Sequence, residues 1–130
     1  MMEKLGPGTN ALNWFEISVN DIDRAARFYE TIFDLTLMRM EMMGMKMAAF
    51  PSMPPHSGGS LVKSDQHVPS MDGAVIYLNA NPDLQLVLDR VSSAGGQIIM
   101  GKTLIDDQVG YMAFIVDSEG NKVGLHSGHQ

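Results

Sequence analysis

Over residues 14–19 the side chains alternate. Phe15, Ile17 and Val19 fall on one face, and Trp14, Glu16 and Ser18 on the other. This is the period-two pattern of a strand with one packed face. The period then lengthens, with Ile22, Ala25, Phe28, Tyr29, Ile32 and Phe33 recurring at three- and four-residue steps. That spacing predicts an amphipathic helix laid on the sheet, with Asn20 or Asp21 as its cap. Strands are expected over 35–42, 45–50 and 59–63, broken at Met43-Gly44 and by the loop Pro51 to Ser57, which holds three of the six prolines.

The same order then returns. A strand is expected over 74–79, and Asn81-Pro82-Asp83 reads as a cap with Pro at the first helical position. Leu84, Val87, Leu88, Val91 and Ala94 mark a second amphipathic helix, ended by Gly95-Gly96. Three more strands are expected over 97–104, 111–116 and 122–127, the last two joined by a hairpin loop at Asp117-Ser118-Glu119-Gly120-Asn121. Matching Ile22 to Leu84 gives an offset of 84 − 22 = 62. The chain therefore reads as α+β, with a βαβββ unit present twice, over about 12–64 and 74–127. Each unit is too small to hold a stable core without the other.

Composition narrows the function classes. With 130 residues, 45% hydrophobic and 18% charged, the chain suits one compact domain and is not disordered. Nine basic against 15 acidic residues leave a net charge of −6 and no basic stripe for phosphates, so no nucleic-acid partner is expected. Apolar runs such as Tyr111 to Val116 are strand-sized, far below the ~20 residues of a membrane span, and the first ten residues lack the apolar core of a signal peptide. A cytoplasmic protein with no membrane partner is expected. The absence of Cys excludes disulfides, thiolate metal sites and cysteine nucleophiles. Residues 96–103 match the phosphate-loop pattern G-x-x-x-x-G-K-T. A phosphate loop follows a strand and opens a helix, whereas here a helix precedes and Ile98-Ile99-Met100 has strand composition, so nucleotide binding is rejected.

The duplicated order gives the opening segment Trp14 to Phe33, WFEISVNDIDRAARFYETIF, its context. It resembles the opening module of the vicinal oxygen chelate superfamily, whose members include glyoxalases, bleomycin- and fosfomycin-resistance proteins and extradiol dioxygenases. Asp21-Ile22, the Phe28-Tyr29 pair and the closing segment Val116 to Leu125 carry the resemblance, which covers about residues 12–127. It implies two modules whose sheets curl around a cup, usually within a homodimer. The superfamily's metal-ligand positions fall at Trp14, at about Val75, at Gly124 and within Ser60-Leu61-Val62. None of these supplies a carboxylate or imidazole, so no cofactor is expected, and the metal-dependent lyase and dioxygenase activities would need a divalent metal on displaced ligands.

Strand parity turns Trp14, Glu16 and Ser18 toward the cup, with Tyr77 and Asn79, and Gly124 and His126, sharing faces on their own strands. Glu16, beside Trp14, is the candidate base of a lyase or isomerase, and its bland alternative is a structural or interface carboxylate. Trp14, Tyr77, Asn79, Tyr111 and His126 are the candidate substrate-binding residues, with His126 able to pair with Glu16. Tyr111 equally suits a sheet rim and Lys102 a solvated edge strand. His56, His67 and His129 lack ligand spacing and read as surface residues. A non-catalytic protein that sequesters a small molecule or antibiotic is the alternative to an enzyme. Whether the cup lies within one chain or across two is open.

Twelve Met stand out, six of them between residues 38 and 47, alternating on both arms of a hairpin. Thioethers are soft ligands suited to Cu(I), but no Cys or nearby His supports them. A plastic apolar wall to the cup, or a buried subunit contact, is the preferred reading.

Overall fold

The computed structural model describes residues 3–128. The chain runs β1 (Trp14–Ser18), α1 (Ile22–Phe33), β2 (Met38–Met42), β3 (Met45–Ala49), β4 (Gly58–Lys63), β5 (Tyr77–Asn79), α2 (Leu84–Ala94), β6 (Gln97–Asp106), β7 (Gly110–Val116) and β8 (Lys122–Ser127). The βαβββ order thus occurs twice in an α+β fold. Each module forms a four-stranded mixed sheet, ordered β1-β4-β3-β2 and β5-β8-β7-β6. In both, the module's first strand runs parallel to its last and the other pairs are antiparallel.

Local chemistry sets the boundaries. Asp21 caps α1 by accepting from the Arg24 N–H at 3.0 Å, and Asp34 ends it in the left-handed region at φ 53°. The chain does not enter a strand at Leu35 as its alternation suggests. The Leu35 N–H donates to the Glu30 carbonyl and the Leu37 N–H to the Glu30 carboxylate, tying 35–37 to the helix end. The cap of α2 is Asp83, which accepts from the Gln85 N–H, so Pro82 precedes the cap instead of opening the helix. Residues 74–76 lie outside β5, whose ladder with β8 begins at Tyr77.

The apolar faces build one core. Helix α1 lies on β3 and β4, α2 lies on β6, β7 and β8, and the helices pack on each other. Phe28, Tyr29 and Ile32 meet Leu84, Val87 and Val91, with Ile17, Leu61, Ile115 and Leu125 supplied by the sheets. Each such buried side chain contributes roughly 2 kcal/mol of transfer free energy. The two sheets come together at the start of β8, where Glu16, Ile17 and Ser18 of β1 line one pocket with Ile76, Lys122 and Val123, and the faces bearing Trp14 and Tyr77 lie on the far side of each sheet from its helix.

A polar joint docks the second module on the first. Glu119, in the turn between β7 and β8, accepts from the Asn20 and Asp21 N–H groups at 2.9 Å each and from Arg24 Nε at 2.7 Å. Burial alone pushes this carboxyl up, but the Arg24 bond, the two N–H groups and the Ser118 hydroxyl outweigh it and hold the pKa at about 2. Beside it Asp117 accepts from the Tyr29 hydroxyl at 2.6 Å, and burial followed by this negative neighbour pushes the phenol well up. Asn121 donates to the Ser18 carbonyl at 2.7 Å.

Candidate functional site

In each module the first residue of the first strand is an aromatic ring resting on a glycine of the last. Trp14 pairs in register with Gly58, and Tyr77 with Gly124. A Cβ added at Gly124 would lie 2.5 Å from the Tyr77 ring; one at Gly58 would meet Ser52 Oγ and stand 3.2 Å from the Trp14 ring. The missing side chain at Gly124 lets the Tyr77 ring lie down; Tyr77 is 49% and Trp14 46% exposed. Tyr77 is buttressed by Phe114, centroid to centroid 5.6 Å, and Lys122 Nζ sits 4.6 Å over the Phe114 ring. By ladder position Tyr77 is the counterpart of Glu16, because the Val19 N–H donates to the Val62 carbonyl as the Ala80 N–H does to the His126 carbonyl; the counterpart of Trp14 is Val75, as the sequence suggested.

Glu16 shares Trp14's face, and its partner comes from an unexpected place. His67 Nε2 lies 2.8 Å from Glu16 Oε1, and His67 Nδ1 lies 2.7 Å from Ser64 Oγ. His67 is thus not a free surface residue; its side chain is only 20% exposed. Glu16 is the register partner of Ser60 on β4, so His67 returns across the sheet from beyond the end of that strand. His126 does not pair with Glu16. It stands on the other sheet, with Nε2 2.6 Å from the Val109 carbonyl.

The remaining sequence candidates divide. Asn79 shares the Tyr77 face as the partner of His126, and its side-chain carbonyl accepts from the Asn81 N–H at 2.9 Å. Tyr111 falls outside this group. It pairs with Ser127, shares parity with the buried Ala113 and Ile115, and packs against the core on the helix side. Lys102 is held by Asp83 at 2.8 Å, with its Nζ 4.4 Å over the Tyr111 ring. The phosphate-loop match lies mostly within β6, so its backbone serves a strand ladder. His56 is exposed, and His129 lies outside the described residues.

Register also settles the methionine face. Glu16, Ser60, Ala49 and Met38 form one row across the first sheet, and Ser18, Val62, Met47 and Met40 the next, followed by Met45 opposite Met42. Five methionines therefore share the face of Glu16 and Trp14, forming a flexible, polarizable wall.

The places where the resemblance puts metal ligands fit a hard divalent ion poorly. They are filled by Trp14, Val75, Gly124 and the segment Ser60-Leu61-Val62, which offer no carboxylate or imidazole, and the Ser60 hydroxyl is bonded to the Leu61 carbonyl. Among the described residues no three His, Asp or Glu side chains come close enough to hold one ion.

Solved structures share the fold. A hypothetical protein, SA1046, from S. aureus superposes with a TM-score of 0.66 at 21% identity, covering 92% of this chain and 95% of its own. A glyoxalase/bleomycin resistance protein from Albidiferax ferrireducens T118 gives 0.67 at 16%, covering 91% and 98%. An E144Q mutant of glyoxalase I from Zea mays gives 0.68 at 16%, covering 92% of this chain and 46% of its own. No curated protein matches by sequence. No described helix is long and apolar enough to cross a membrane. The model of the Glyoxalase/Bleomycin resistance protein/Dioxygenase superfamily matches residues 11–125, nearly the whole chain, and the chain belongs to that superfamily.

Proposed function

We propose that the protein binds a small, flat, partly apolar molecule against Trp14 and Tyr77, without a divalent ion, and that Glu16 takes a proton from it in a lyase or isomerase reaction. The observation that carries this reading is a pair of half-exposed rings, Trp14 and Tyr77, one on the first strand of each module and each in register with a glycine. A ring lying flat offers a face on which a conjugated molecule stacks, worth ~0.5–1.5 kcal/mol beyond the area it covers. The methionine wall adapts to the rest of the ligand. Glu16 has Oε1 committed to His67, which leaves Oε2 for the ligand's acidic proton.

Trp14 is the only tryptophan, so its emission reports this site alone. Saturable quenching by 7-hydroxycoumarin, weakened about tenfold in Tyr77→Ala, is the expected result; emission unchanged up to millimolar probe would reject the reading. Glu16→Gln then separates catalysis from sequestration. An enzyme loses turnover with its fold intact, whereas a sequestering protein keeps its affinity and has no turnover to lose.

The exposed Trp14, Tyr77, Met38 and Met42 on the sheet faces turned away from the helices favour a homodimer in which a second copy closes each cup. Light scattering should give twice the 14.2 kDa chain mass at micromolar concentration. A monomer under those conditions would count against a shared cup.

A further inference from the structure

We propose that Ser64, His67 and Glu16 form a nucleophile, base and orienter that transfer the acyl group of small apolar esters to water. The inference does not depend on what stacks against Trp14. It goes beyond proton abstraction by Glu16, because here Glu16 remains an ionised orienter and His67 is the base.

Hydrogen-bond logic fixes the direction of the relay. The ionised Glu16 carboxylate only accepts, so at 2.8 Å from Oε1 the Nε2 atom of His67 carries the hydrogen. In the neutral ring Nδ1 is then a bare acceptor, 2.7 Å from Ser64 Oγ. Ser64 Oγ already accepts from the Gln66 N–H at 3.1 Å, so its own hydrogen is free to point at Nδ1. Two independent partners thus aim the Ser64 hydroxyl proton at an imidazole whose far side is held by a carboxylate. These are the roles of a catalytic triad, with the two ring nitrogens exchanged relative to the serine proteases.

The chemistry balances with water as the second reactant. Ser64 Oγ attacks the ester carbonyl as its proton passes to His67 Nδ1; the bond to the leaving alcohol breaks, and His67 returns the proton to the departing oxygen. Water then attacks the acyl-serine and gives its proton to Nδ1, and the acid leaves as that proton returns to Ser64 Oγ. Ser64 follows Ser60 and Val62 at strand spacing, which carries it toward the sheet face bearing Met40, Met42 and Met45. Thioether side chains there suit a short apolar acyl chain.

An alkyl fluorophosphonate tests the nucleophile directly, read by intact mass and peptide mapping. One adduct per chain on Ser64 is expected, none in Ser64→Ala, with labelling slowed at least a hundredfold in His67→Gln and tenfold in Glu16→Gln. p-Nitrophenyl butyrate hydrolysis should fall in the same order. No adduct in the unmodified protein, or a His67→Gln variant labelled at the unmodified rate, would overturn the proposal. Ser64→Ala removes a half-buried hydroxyl that holds the Gln66 N–H and His67, so circular dichroism establishes that the variant is folded, and Trp14 quenching in it shows separately whether the stacking site survives.

Discussion

Between pH 5 and pH 2.5 the protein is expected to lose most of about 3 kcal/mol of folding stability through Glu119 alone. The native carboxyl titrates at about 2, against 4.5 as the ordinary value, and that gap corresponds to about 3 kcal/mol. A depressed native pKa means that the folded state favours the ionised form. The contribution is therefore complete above 4.5 and drains away as the pH falls from 4.5 toward 2. It has a structural reading, since Glu119 bonds to Asn20, Asp21 and Arg24 and so joins the second module to the start of α1. Glu119→Gln should be less stable at pH 7 by about 2–3 kcal/mol and should lack this acid dependence. Asp21, whose carboxyl is lowered chiefly by the Arg24 N–H, titrates in both proteins. Urea denaturation at pH 6, 4 and 2.5 measures the difference between them; stability curves that run parallel for the two proteins would refute the joint.

What could be read from the chain was whatever repeats at short range. Both helices fall where three- and four-residue periodicity put them, and the alternation of Met38 to Met47 translates directly into a wall because strand parity is a local rule. Errors arose where tertiary partners override local pattern. Leu35 to Leu37 alternate like a strand but are claimed by Glu30, and the strand expected from residue 74 starts only at Tyr77, where its ladder with β8 begins. Glu16 was accessible from parity and its partner was not. His67 lies 51 residues away along the chain, with no ligand spacing to announce it, and only the fold-back after β4 brings the two together. Ser64, three residues before His67, carried a faint local signal, because a serine at that spacing commonly bonds its neighbour in a turn. Tyr111 failed for the opposite reason: its position at a strand start said nothing about which face it would join.

Gly124→Ala is expected to abolish the stacking contribution of Tyr77 without touching any polar group. The added Cβ would stand 2.5 Å from Cδ2 and 2.9 Å from Cγ of the ring. Since Cγ is the root of the ring, a tilt of its outer edge cannot relieve the contact, and the whole side chain must leave its rotamer. Overpacking of this kind costs ~1–3 kcal/mol in stability, and the displaced ring no longer presents its face. Affinity for a flat probe should fall by at least tenfold, matching Tyr77→Ala. The decisive quantity is the coupling between the two changes. If the glycine matters only because it lets the tyrosine lie flat, Gly124→Ala combined with Tyr77→Ala should bind no more weakly than Tyr77→Ala alone, and part of the lost stability should return once the ring is gone. Additive losses would mean that Gly124 serves the ligand by itself, through a close approach of backbone to ligand, and the ring would then be a neighbour of the site instead of its floor.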